Sequence, residues 1–337
     1  MTAPTIGLGR APCIPLAASC RQRCIYFSSS LIYFFTFHFS FFTFLRTFAP
    51  MTYNDMWRQL TQVYDKGEAQ AIARMVYEIR FGLTLSDIYI GKDTQLSLDC
   101  QKEVEEITKR LIEHEPVQYV LGVADFCGRQ YHVEPGILIP RPETEHLCRL
   151  ITERANSQKP IANGQKVLDI GTGSGCIAIT LALDIPGAQV TAWDISPIAL
   201  RVAKGNAQRL GADVTFQEVD VLTAPGSPSL WRGMGGGWDL IVSNPPYICD
   251  SEAEQMEANV LDYEPEIALF VPDDDPLQFY VPIMNYAQSA LHPGGQLWLE
   301  TNPLYEEIIE ERLLELGFNV TAHDDQFGKT RFIQAIR

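Results

Sequence analysis

The sequence predicts an α/β protein: a doubly wound, seven-stranded sheet preceded by a small helical domain and a β-hairpin linker. Three observations carry the prediction. Across residues 141–337, short apolar runs alternate with helical patterns, as in a mostly parallel sheet covered on both faces. Residues 51–115 show helical periodicity. Between them, residues 116–140 alternate around Gly122, Gly128 and Gly136.

The elements follow in order. Residues 68–79 place Ile72, Met75, Val76 and Ile79 on one helical face, and residues 98–114 turn Val104, Ile107 and Leu111 inward. Both stripes read as ordinary bundle core. Strands are expected at 166–170, 189–195, 214–219, 239–243, 296–300, 319–323 and 331–336. Helices at 197–210 and 303–316 each have a proline start and a glycine stop, at Gly211 and Gly317.

Composition narrows the function classes. The chain has 337 residues and a net charge of −16. So acidic a surface repels phosphate backbones and argues against general binding to nucleic acid. Eight cysteines (13, 20, 24, 100, 127, 148, 176, 249) form no C-x-x-C pair and no histidine-partnered spacing. Neither a metal site nor a disulfide framework is expected, and reduced cytosolic thiols are the default.

Three segments carry chemistry. An apolar strand ends in Asp169 and Ile170 and runs into Gly171-Thr172-Gly173-Ser174-Gly175 before a helical start. Glycines at alternate positions let the backbone turn tightly and approach a ligand, although a plain strand-to-helix turn would look similar. The next strand ends in Asp194, where an acid commonly takes both hydroxyls of a ribose. Ser196 and Pro197 already supply the following helix with its cap and first-turn proline, so Asp194 is not needed there. The third segment, Asn244-Pro245-Pro246-Tyr247, closes another buried strand. Its prolines withhold two N–H donors, so the loop presents carbonyls, an amide and an aromatic ring. Such a surface suits a flat group bearing NH2. Alone, the same residues would pass for a turn.

Glycine loop, ribose acid and Asn-Pro-Pro-Tyr in this order resemble the class I S-adenosylmethionine-dependent methyltransferases that act on planar NH2 nitrogens. Two families share the tetrapeptide: adenine-N6 DNA methyltransferases, and the HemK/PrmC family, the glutamine-N5 methyltransferases of peptide chain release factors. Glu115-Pro116-Val117-Gln118-Tyr119-Val120-Leu121-Gly122, Phe126-Cys127-Gly128 and Leu138-Ile139-Pro140-Arg141-Pro142-Glu143-Thr144-Glu145 resemble the stretch joining the two domains of the second family. The resemblance runs from about Met51 to Arg337.

It implies a class I fold with an antiparallel last strand, S-adenosyl-L-methionine as cofactor, and class I release factors as partners. Residues 51–115 would recognise the substrate and residues 141–337 would carry catalysis, in a cytoplasmic enzyme without a stable nucleic-acid partner. The donor would contact Asp169, the loop from Gly171 to Gly175, Asp194, Asp220 with Val221, and Asn244. The glutamine amide of a Gly-Gly-Gln motif would meet Asn244, Pro245, Pro246 and Tyr247, with Tyr247 packed on the amide plane. Arg141 would reach the substrate or pair with Glu143 or Glu145. Adenine-N6 methylation is the alternative, and no basic, aromatic-interleaved recognition domain supports it.

The chain departs from that pattern at Val221, where many relatives carry a larger apolar residue, and at Glu300-Thr301-Asn302-Pro303, where a glycine is expected. Residues 222–237 read as a surface insertion. Residues 1–50 differ in composition from the rest, with four Arg, no acid and an aromatic run. A membrane anchor, a transit peptide and upstream sequence read from an early start codon all fit. Upstream sequence is preferred, because the family-like part opens at Met51.

Overall fold

In the computed structural model, which describes residues 50–157, 164–223 and 237–337, the chain opens on a capping box. Thr52 and Asp55 exchange side-chain and backbone bonds at the start of α1 (Tyr53–Leu60). Asp65 caps α2 (Lys66–Phe81), and α3 (Leu85–Tyr89) and α4 (Leu98–Ile112) complete the bundle. Met56, Leu60, Ile72, Val76, Val104, Ile107 and Leu111 fill its core. Met75 and Ile79, expected inside, instead wall a surface groove with Trp57 and Tyr89. Ala69, Ala73 and Tyr77 take the buried positions, because the α1 contact lies a quarter-turn from the stripe read in the sequence. Among the described residues no helix is long and apolar enough to cross a membrane. The expectations for residues 1–50 and for the insertion at 222–237 fall almost wholly outside the described residues.

The linker begins with a single helical turn, α5 (Val117–Leu121), before the hairpin β1 (Val123–Phe126) and β2 (Arg129–His132). Cys127 and Gly128 both adopt positive φ, 48° and 70°, which is the backbone a two-residue hairpin loop needs. The helix α6 (Pro142–Ser157) follows.

Seven strands then form one sheet: β3 (Lys166–Ile170), β4 (Gln189–Asp194), β5 (Val214–Glu218), β6 (Trp238–Ser243), β9 (Leu291–Glu300), β10 (Asn319–Asp324) and β11 (Thr330–Ile336). Their order is β10-β11-β9-β6-β3-β4-β5. β3, β4, β5, β6 and β9 run parallel, and β11 lies antiparallel to both its neighbours. Val167 and Leu168 show why the central strands read as unbroken apolar runs: they pack into separate clusters, as successive strand residues on opposite faces do. Helices α7 (Cys176–Asp184) and α8 (Pro197–Leu210) connect the first strands. A small pair, β7 (Ile248–Cys249) and β8 (Phe270–Val271), flanks the short α9 (Ala258–Leu261). The last helices are α10 (Tyr280–Ala290) and α11 (Glu306–Glu315).

The last helix starts later than the sequence predicts. Pro303 lies in a turn held by Asn302, whose Oδ1 accepts the Leu304 N–H at 3.0 Å, and α11 begins at Glu306. The chain winds outward from β3 through β4 to β5, then returns to set β6 on the other side of β3. That reversal opens a crevice at the carboxyl ends of β3 and β6.

Candidate active site

The end of β3 forms one wall of this crevice. Gly171, Gly173 and Gly175 have φ of 76°, 55° and 83°, in the left-handed region that favours glycine. Their neighbours differ. A Cβ on Gly171 or Gly173 would point into open space, whereas one on Gly175 would stand 2.9 Å from Ile179 Cδ1 and 3.0 Å from Ala203 Cβ. The first two glycines therefore leave room for a ligand, and the third lets α7 pack on α8.

Asp169 sits behind the loop, fully buried. Its Oδ2 accepts the Thr172 hydroxyl at 2.6 Å and the Ala178 N–H at 3.2 Å. Burial pushes its carboxyl up to about 7 despite those two bonds. Its Oδ1 is buried with no hydrogen-bond partner, and the residue, expected to contact the donor, instead braces the loop from behind the cleft wall.

Asp194 ends β4 with both oxygens on backbone donors, Gly173 N–H on Oδ2 and Ser196 N–H on Oδ1, each at 2.8 Å. Burial raises its pKa against those bonds. Asp194 thus ties the glycine loop to the α8 entry while keeping lone pairs toward the crevice. Asp220 accepts the Leu222 N–H at 2.9 Å, and Val221 packs on the core under the sheet.

At the end of β6, Ser243 donates to the Ile170 carbonyl at 2.7 Å and locks β6 onto β3. Asn244 follows. Its Nδ2 donates to Thr144 Oγ1 at 3.2 Å, and the Thr144 hydroxyl donates to Glu300 Oε2 at 2.8 Å. Burial pushes the Glu300 carboxyl up to about 7, opposed by Thr144 and the Arg331 charge. Pro245 is buried and Pro246 half-buried.

A cleft of about 420 Å³ joins these parts, a volume ordinary for a small-molecule site. Arg141, Gly171, Thr172, Gly173, Ser174 and Asp194 line it, as do Asp220, Val221, Asn244, Pro245 and Pro246. Asp169, Gly175 and Tyr247 are absent from its wall.

Two further expectations need correction. Tyr247 does not face the cleft: its hydroxyl donates to Glu300 Oε1 at 3.3 Å and its ring packs on the core. Two backbone bonds to the Leu269 carbonyl, from Tyr247 and Ile248, turn the chain so that the ring points inward. Arg141 pairs with neither Glu143 nor Glu145, which lie in the first turn of its own following helix, but with Glu264 at 2.6 Å. Glu264 is buried and also accepts the Ile139 N–H at 3.1 Å, so the pair staples the linker to the segment before β8. Glu264 and the Thr144–Glu300 contact escaped the sequence reading. Glu264 lies 123 residues from Arg141, and no local pattern links such positions.

A seven-stranded sheet of this order, with a glycine loop and acid on one side of the switch point and Asn-Pro-Pro-Tyr on the other, defines a class I methyltransferase. A family described as "Methyltransferase domain" matches residues 161–322, and one described as "PrmC N-terminal domain" matches residues 55–122. The release factor glutamine methyltransferase of Bacteroides thetaiotaomicron is 45% identical over 283 residues, covering 83% of this chain and 97% of the relative. That of Flavobacterium psychrophilum is 37% identical over 276 residues, covering 82% and 94%. That of Streptococcus pneumoniae is 35% identical over 274 residues, covering 80% and 92%. The chain belongs to the release factor glutamine methyltransferase family.

Proposed function

We propose that this protein methylates the side-chain amide nitrogen (N5) of the glutamine in the Gly-Gly-Gln motif of class I peptide chain release factors, using S-adenosyl-L-methionine. Asn244 carries the reading: it lines the cleft at the switch point, and with Nδ2 engaged by Thr144 its Oδ1 remains as an acceptor. The bound donor supplies an electrophilic methyl on a sulfonium, which is already a good leaving group.

The chain's own residues divide the remaining work. Asp194 takes the ribose hydroxyls with the lone pairs that Gly173 and Ser196 leave free. Gly171 and Gly173 make room for the methionine moiety, and Asp169 braces their loop from behind through the Thr172 hydroxyl. Asp220 and Val221 flank the adenine.

The difficult partner is the amide nitrogen, whose lone pair is delocalised into its own carbonyl. Asn244 Oδ1 and the Pro245 carbonyl each accept one N–H, holding the nitrogen toward the methyl. Both acceptors favour the positive charge that develops on nitrogen as it attacks. The proton departs after transfer, so no general base is demanded. Tyr247 supports the loop from behind, and Arg141 with Glu264 fixes the wall opposite. Residues 51–115 serve as the substrate-recognition domain, 116–140 as linker and 141–337 as catalytic domain, in a cytoplasmic setting.

Labelled donor is incubated with the protein and, separately, a release factor, the same factor with the motif glutamine replaced, and adenine-containing DNA. Label should enter the first alone. Label in the DNA would favour the adenine-N6 alternative and refute the proposal.

A further inference from the structure

A primary amide is nearly symmetric in shape, so Asn244 fits its site in two orientations that exchange O and N. These orientations are chemically opposite. With Oδ1 toward the cleft it accepts a substrate N–H; with Nδ2 toward the cleft it sets donor against donor.

We propose that Thr144 and Glu300 are positioning residues that select the first orientation. The proposal deepens the reading of Asn244 given above and rests on it. Glu300 is fully buried, and above a pH of about 7, where it is a carboxylate, it only accepts. Its Oε1 takes the Tyr247 hydroxyl at 3.3 Å and its Oε2 the Thr144 hydroxyl at 2.8 Å. The single Thr144 proton is thereby committed to Glu300. What Thr144 Oγ1 has left is a lone pair, and Asn244 Nδ2 stands 3.2 Å away. An N–H satisfies that lone pair, whereas Oδ1 in its place would oppose it with a second acceptor. The relay is sheltered, since Thr144 is buried too. Its outer end, where Thr144 meets Asn244, lines the cleft. Glu300 is itself held on both sides: the Tyr280 hydroxyl donates to its backbone carbonyl at 3.0 Å, and Arg331 contributes a positive charge nearby.

The relay has a polarity that substitutions can erase or reverse. Thr144→Val keeps the shape and removes the hydroxyl; Thr144→Ser keeps the hydroxyl. Glu300→Gln is the sharper variant. Tyr247 still donates to the Gln Oε1, which turns Nε2 toward Thr144. The Thr144 proton then points at Asn244 and invites Oδ1 inward.

The test measures kcat and donor affinity for these variants and for the cycle joining Thr144→Val to Asn244→Ala. An unbiased amide alone costs about twofold, and loss of fixed geometry adds to it, so kcat in Thr144→Val should fall about tenfold. Donor affinity should stay within about twofold, because Thr144 acts on the substrate side. Thr144→Ser should recover most of the rate, and Glu300→Gln should lose at least as much as Thr144→Val. In the Asn244→Ala background, adding Thr144→Val should change kcat by less than about twofold. Wild-type kcat in Thr144→Val, or an equal loss in both backgrounds, would overturn the relay.

A second readout is independent of turnover. One Asn244 side-chain NH2 proton, identified by its loss in Asn244→Ala, should be protected from exchange in wild type and unprotected in Thr144→Val. Rapid exchange in wild type would refute the relay whatever substrate the enzyme uses. Failure of wild type to label the release factor would instead refute the functional reading alone.

Discussion

Asp194→Ala probes the donor site in a way the structure makes quantitative. The carboxylate receives two backbone N–H groups at 2.8 Å, one from the glycine loop and one from the α8 entry. A hydrogen bond to a charged group contributes roughly 1.5–3 kcal/mol. Losing the ribose contact on that scale weakens donor binding about 10- to 150-fold, at about 1.36 kcal/mol per tenfold. The substitution also frees Gly173, so part of the loss comes through a looser loop. The fold should survive: Asp194 is half-buried and lines the cleft, so water can replace its bonds to Gly173 and Ser196. A stability cost of about 1–2 kcal/mol is expected, near the lower end of that scale. Asp194→Asn should bind poorly too, because its NH2 would face one of the two backbone donors. Calorimetric titration with S-adenosyl-L-methionine, alongside thermal unfolding, reads both quantities. A folded Asp194→Ala protein with wild-type donor affinity would refute this assignment.

The two kinds of glycine in the loop should separate cleanly. Gly175→Ala, with its Cβ against Ile179 and Ala203 and a φ of 83°, should cost about 3 kcal/mol or more in denaturant midpoint experiments. Gly171→Ala should cost only about 1–2 kcal/mol of backbone strain, yet weaken the donor in a binding titration. Arg141→Ala leaves Glu264 buried without its cation and should destabilise the fold by about 3 kcal/mol, measured by urea unfolding. Glu300 gives a pH signature. Its carboxyl lies at about 7 when folded against an ordinary 4.5, so the folded state holds this proton more readily than the unfolded chain. The stability that proton provides is complete below pH 4.5 and is lost as pH rises through about 7. Glu300→Gln does not titrate, so its stability relative to wild type should grow across that window, by up to about 3 kcal/mol. Urea midpoints between pH 4 and pH 8 measure the gap, and a constant gap would contradict the burial argument.

Strand positions were legible because the central strands are buried on both faces, so each shows as a dense apolar run between turn signals. The site edges were legible for a related reason. Glycine in the loop and proline after Asn244 are forced by backbone geometry, which leaves a local mark. The helix α10 was not foreseen, since Pro282 interrupts its pattern, though a proline in the first turn is tolerated. Side-chain direction was the weakest inference. Tyr247 lies three residues from Asn244, yet its ring turns to Glu300, decided by a contact 53 residues away. Arg141 pairs with Glu264, 123 residues away in sequence, rather than with Glu143 or Glu145. Such choices are set by tertiary packing, which leaves no periodic trace in sequence.

The most direct test of the account is Asn244→Ala assayed on a release factor carrying Gly-Gly-Gln, with donor binding measured on the same preparation. Asn244 meets the substrate nitrogen, so donor affinity should stay nearly intact. Methyl transfer to the glutamine should fall by about 10²–10³, the usual loss on removing one preorganised transition-state contact. Transfer at the wild-type rate would contradict the account.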